Sequence, residues 1–147
     1  MKNRKLLVVG VLLSIAAVFI LTSCNALGNA QKLQEYDFGN DRVASINSVV
    51  GERTVTAVGT GTSNGVSYKE YTYNSSSVFE DLLKYTQELR NKGWIVTGAF
   101  DLNNTPGTGQ LAINSADKGK ILILSFLYDS GSYKIKIEKG TGDLTVN

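Results

Sequence analysis

The period of the apolar positions changes along the chain, and each change marks an element. Leu6 to Leu21 is an apolar run without a charged residue, and residues 25–40 show no strong period. Val43–Val50 and Arg53–Thr60 are rich in Val, Ile and Thr and predict two strands, with Gly51-Glu52 as the hairpin turn between them. Gly59 to Gly65 is turn material, and Val66–Tyr73 predicts a third strand. At Ser77 the period changes to that of a helix. Ser77 and Glu80 match a capping box, and Phe79, Leu82, Leu83, Thr86 and Leu89 fall on one helical face. Glu80–Lys84 and Glu88–Lys92 have the spacing of favourable pairs on the other face. Gly93 suits the position after the last turn, so the helix is predicted over 77–92, with Trp94 folding back onto it.

Four more strands are predicted at Trp94–Asp101, Gln110–Ala116, Lys120–Tyr128 and Tyr133–Lys139, joined by short segments rich in Asn, Asp, Ser and Gly. Connections this short favour antiparallel neighbours, hence a four-strand meander. Lys134 to Glu138 alternates, so one face of that strand meets water, whereas Ile121 to Tyr128 does not alternate and reads as a central strand buried on both faces. The expected fold class is α+β: a single domain over 41–140, an antiparallel sheet of five to seven strands with one amphipathic helix packed on it. The N-terminal strands, the preceding segment or a partner would cover the other face. Residues 24–40 are expected as a tether, of which the sixteen residues 25–40 reach at most about 53 Å at ~3.3 Å per residue, and 141–147 as a frayed tail.

The first 24 residues change the picture. Lys2, Arg4 and Lys5 precede the apolar run, which is shorter than the ~20 residues of a spanning helix. The run ends in Leu21-Thr22-Ser23-Cys24, which resembles the lipobox of bacterial lipoproteins. The resemblance covers residues 1–24 only. It implies a signal peptide over 1–23, cleavage between Ser23 and Cys24, and a diacylglycerol thioether on Cys24. It also implies an extracytoplasmic domain held on the cell membrane by lipid. If the host has two membranes, Asn25 lacks the aspartate that the class associates with inner-membrane retention. Cys24 is the only cysteine, so lipidation leaves no free thiol.

Cleavage there leaves 124 residues with a formal charge of −1, because three of the positive charges leave with the leader. That balance gives no footprint for nucleic acid. The chain has no histidine, which excludes Ser-His-Asp and Cys-His catalysis and zinc sites of the usual make-up. No metal site and no cofactor are expected. Gly59-x-Gly61 has the wrong spacing and the wrong following element for a phosphate loop, and Asp101-x-Asn103 fails the calcium-loop pattern at Pro106 and Ala112. A turn around Pro106-Gly107 accounts for that stretch. Glu80 and Asp81 sit in the first helical turn, where acids suit the helix dipole.

The remaining candidates are Tyr68, Tyr71 and Tyr73 on one strand. Strand alternation sets Tyr68 against the other two, so they form either an exposed aromatic binding surface or cross-strand core packing; burial of Tyr71 and Tyr73 would end the first reading. These features point to a non-enzymatic binding or interaction module, displayed at the membrane for an envelope protein or glycan. Two alternatives stand beside it: an enzyme on envelope polymers using carboxylate or tyrosine chemistry, and a carrier for a small apolar ligand.

Overall fold

The computed structural model describes residues 24–145. The expected signal peptide, with Leu21 to Ser23 of the expected lipobox, lies outside the described residues, as do Val146 and Asn147. The chain forms an α+β domain with two antiparallel sheets. In chain order the elements are α1 (Cys24–Gln31), β1 (Glu35–Phe38), β2 (Asp41–Ala44), α2 (Ile46–Val50), β3 (Thr54–Ser63), β4 (Val66–Asn74), α3 (Val78–Asn91), β5 (Ile95–Val96), β6 (Gly107–Asn114), β7 (Lys120–Tyr128) and β8 (Ser132–Thr141). β1 and β2 pair with each other, and the main sheet has the order β3-β4-β8-β7-β6-β5. The meander β5 to β8 is therefore present, and its last strand inserts beside the β3–β4 hairpin.

Alternation along the strands divides the main sheet into two unlike faces. On β7, Leu122, Leu124, Phe126 and Tyr128 are buried, while Ile121, Ile123 and Ser125 are half-buried and Leu127 is 54% exposed. The central strand is thus buried on one face only. On β8 the buried set is Tyr133, Ile135 and Ile137, and on β4 it is Tyr71 and Tyr73. α3 packs on that face through Val78, Leu82, Tyr85 and Leu89. Phe79 and Leu83 are 42% and 38% exposed, so the buried stripe lies one position from the predicted one. The shift arises because Tyr85 presents a full ring to the core, meeting Phe126 edge-on at 6.1 Å. Ser77 precedes the helix without a side-chain capping bond; Ser75 Oγ instead accepts from the Ser77 N–H at 3.0 Å. The other end follows expectation, with Gly93 at φ +91° and Trp94 N–H donating back to Leu89 O at 3.1 Å.

Residues 24–65 depart most from the sequence reading. The tether is replaced by α1 and β1: Ala30 and Tyr36 are buried, and Tyr36 stacks on Tyr71 with ring centroids 4.5 Å apart. The strand predicted over 43–50 breaks at Ser45, which caps α2 by accepting from the Ser48 N–H at 3.1 Å. Gly51-Glu52 therefore leads from a helix and is no hairpin turn. Gly59 and Gly61 lie inside β3, opposite Glu70 and Tyr68, whose side chains fill the space a Cβ would take. The hairpin turns instead at Asn64-Gly65, both at positive φ (51° and 77°), the pattern of a tight two-residue turn.

At the far edge, β5 keeps only two of eight predicted residues. Phe100 leaves the strand to lie over Gly109, where a Cβ would collide with its ring. The Thr105–Pro106 peptide is cis. The tail is also held: the Asn114 amide donates to Leu144 O at 3.1 Å and its oxygen accepts from Leu144 N–H at 2.7 Å. All this places α3, α2 and the β1–β2 hairpin on the same face, with α1 along β3. Among the described residues, the N-terminal elements thicken the cover beside α3 and leave the opposite face of the sheet open.

Candidate functional site

The covered face is filled by a tyrosine cluster. Tyr36, Tyr73, Tyr85 and Tyr133 are all at or below 1% exposure, so the predicted aromatic surface fails at two of its three positions: Tyr71 and Tyr73 are core residues. Tyr73 and its cross-strand neighbour Tyr133 stack at 5.5 Å, which is the packing reading of these rings. Each buried hydroxyl finds a partner. Tyr36 and Tyr73 share a hydrogen bond of 2.7 Å, Tyr36 also accepts from the Ile46 N–H at 3.1 Å, and Tyr85 donates to Ala44 O at 2.8 Å. Burial pushes the Tyr36, Tyr73, Tyr85 and Tyr133 hydroxyls well above the ordinary phenol range, so they remain protonated at neutral pH.

Two acids, Asp81 and Asp41, are built into the folded structure. Arg53 grips Asp81 with two bonds, Nε to Oδ2 at 2.7 Å and a terminal nitrogen to Oδ1 at 2.6 Å; Ser75 and Tyr133 donate to Oδ2 at 2.7 and 3.2 Å. Burial alone would raise the Asp81 carboxyl, but Arg53 and Ser75 outweigh it and hold the group below its usual value. Asp41 accepts from Ser115 Oγ and Ala116 N–H, both at 2.7 Å, and Lys139 Nζ lies 2.6 Å from both Asp41 and Asp117. Burial likewise works against the charge on Asp41, and Lys139 and the Ala116 N–H overcome it. The ammonium of Lys139 thus occupies the point where the two carboxylates converge. Asp101 bonds locally to the Asn103 N–H at 3.0 Å. Among the described residues no group of three His, Cys, Asp or Glu side chains is placed to hold a metal.

The open face is the surface left without an internal partner. Tyr68 belongs to it, set opposite Tyr71 and Tyr73 by alternation, and its ring lies over Gly61 with Lys136 Nζ 4.9 Å from the centroid. The charges here are paired: Lys134 with Glu70 at 3.2 Å and Lys136 with Glu138 at 2.6 Å. Toward the β5 edge the face sinks into an open groove of about 430 Å³, where Leu127 lies among Gln110, Ser125, Lys134 and Lys136, with Gly98 at the rim. Gly98 lets this rim approach closely, since a Cβ there would stand 3.2 Å from Gln110 Cβ. An apolar floor with amide, hydroxyl and ammonium groups around it suits a ligand that both packs and hydrogen-bonds.

Reading the sequence missed this groove. The alternation of Lys134 to Glu138 marked a water-facing side, but linking it to Leu127 and Gln110 requires the cross-strand register Leu127↔Lys134 and Gln110↔Ser125. A second groove, about 490 Å³, runs beside Phe38 and Gly39 between the β1–β2 turn and Thr60 to Thr62. No helix among the described residues is long and apolar enough to cross a membrane. No protein-family model, no curated protein and no solved structure matches the chain.

Proposed function

We propose that the chain is an envelope lipoprotein whose domain is a non-enzymatic binding module. The leader is removed between Ser23 and Cys24, diacylglycerol on Cys24 holds the product on the membrane, and the open sheet face takes an envelope protein or glycan. The observation that carries the binding reading is the one-sided cover of the sheet. Among the described residues, every packed helix and the β1–β2 hairpin crowd one face or the β3 edge, while Leu127 stands 54% exposed on the other. Leu127 continues the row of half-buried Ile121 and Ile123 on that face, and a row of apolar side chains rimmed by Gln110, Ser125, Lys134 and Lys136 has the composition of a recognition surface. The acids take structural roles in this reading: Asp81 is held by Arg53, and Asp41 and Asp117 by Lys139. The space beneath α3, where an apolar ligand would lie, is occupied by Tyr85, Leu82 and Phe126.

Two measurements test the proposal. Mass spectrometry of the mature N-terminus is expected to give a diacylglyceryl Cys24; a chain intact from Met1 or a free thiol there would refute the anchor. Cross-linking on native membranes is expected to capture a specific partner with the natural protein and to lose it with Leu127→Arg. Equal capture by both would refute the assignment to this face.

A further inference from the structure

We infer that the lipid anchor is fused to the fold, so that the domain sits on the bilayer with its β3 edge toward the lipid and its β5 edge away. The inference rests on the lipoprotein reading and specifies its geometry. It starts from the absence of slack between Cys24 and the core. α1 opens at Cys24, and its eight residues span only about 12 Å as a helix.

The far end of that helix is locked. The Gln31 side chain donates to Arg53 O at 2.6 Å and accepts from the Val55 N–H at 2.9 Å, taking the place of a neighbouring strand. The Gln31 carbonyl accepts from Asn47 Nδ2 at 2.8 Å. Ala30 just before it is 3% exposed, and Leu33 O just after it accepts from Ser45 Oγ at 2.6 Å. By Tyr36 the chain is in the core. Acyl chains on Cys24 must reach hydrocarbon, so the bilayer surface lies within about one short helix of the start of β3.

The strand order then sets what lies far from the lipid. Five intervals of ~4.8 Å separate β3 from β5, which places the far edge about 24 Å across the sheet. The groove around Leu127 belongs to β8, β7 and β6, two to four intervals from β3, and is therefore held clear of the lipid, within reach of a partner that is not lipid. β3 itself has neither charge nor proline from Thr54 to Ser63, the usual guards of an edge strand. Proximity of α1 and the bilayer to this edge keeps a second chain from pairing with it.

The test uses lipidated protein in phosphatidylcholine vesicles that carry a headgroup nitroxide quencher. Lipid occupies the single natural cysteine, so Thr56→Cys on β3 or Val96→Cys on β5 gives a unique fluorophore site, and both positions are exposed. Quenching at position 56 is expected to exceed that at 96 several-fold. Equal quenching, as for a loosely tethered domain, or stronger quenching at 96 would overturn the inference. A nitroxide on Gly28→Cys, where a Cβ meets nothing within 4 Å, gives a second reading. Motion locked to the domain is expected, and fast independent motion would overturn the inference. The mass of the N-terminal peptide separates the two levels: a peptide without diacylglycerol overturns the lipoprotein reading, and this inference with it. A lipidated protein with equal quenching overturns the geometry alone.

Discussion

Asp81 accepts hydrogen bonds from three separate segments: Arg53 before β3, Ser75 after β4 and Tyr133 on β8. Its side chain is 3% exposed, so removing the cation leaves a buried carboxylate without its counter-charge. Arg53→Met is therefore expected to cost about 3–5 kcal/mol, read by urea denaturation. Tyr133→Phe, which removes one donor to this charged acceptor, is expected to cost about 1.5–3 kcal/mol. The pH dependence follows from the depressed Asp81 carboxyl. Its contribution is complete above the unfolded aspartate value of about 3.9 and disappears as pH falls through the lower folded value. The stability gap between the natural protein and Asp81→Asn should be constant near neutrality and close below pH ~4; a gap that widens in acid would contradict the role given to Arg53. None of this was legible from the sequence. Asp81 sits where a helix dipole already explains an acid, and its partners Arg53 and Tyr133 are 28 and 52 residues away. The tyrosines were half legible. Alternation separates Tyr68 from Tyr71 and Tyr73, but an aromatic ring suits core and surface alike, and only the cover over the sheet selects the face.

Among the elements, α2 shows how a cap decides against propensity. Ile46, Val49 and Val50 resemble a strand, yet Ser45 Oγ accepts from the Ser48 N–H and donates to Leu33 O. Ser45→Ala removes both bonds and is expected to cost about 1–2 kcal/mol. The loss should appear as faster amide exchange across 46–50 ahead of the sheet. α3 was legible from its helical period and β8 from the alternation of Lys134 to Glu138, whereas β4 and β7 were legible as aromatic, β-branched and apolar runs bounded by turn residues; without a period, β7 was misread as buried on both faces. α1 and β1 were not, since their cover depends on isolated residues, Ala30 and Tyr36, without a repeat. β5 was overread because Phe100 serves Gly109 instead of extending the strand.

For the whole molecule, the unequal faces predict unequal tolerance. Leu124→Ala on the covered face is expected to cost about 2–5 kcal/mol. Leu127→Arg on the open face should change stability by no more than about 0.5 kcal/mol, which leaves partner capture as the property it alters. Comparable losses at both positions would mean that the face is not free.

The strand order has a consequence in time. β8 lies between β4 and β7, and among the described residues it is the last strand in chain order, so it leaves the ribosome after both of its neighbours. Until Ser132–Thr141 emerges, the β3–β4 hairpin and the β5–β7 ladder are unfinished halves, each with a bare edge and an uncovered set of apolar side chains. One late strand therefore joins both halves at once, and a chain cut short before Ser132 keeps two separate ladders that nothing zips together.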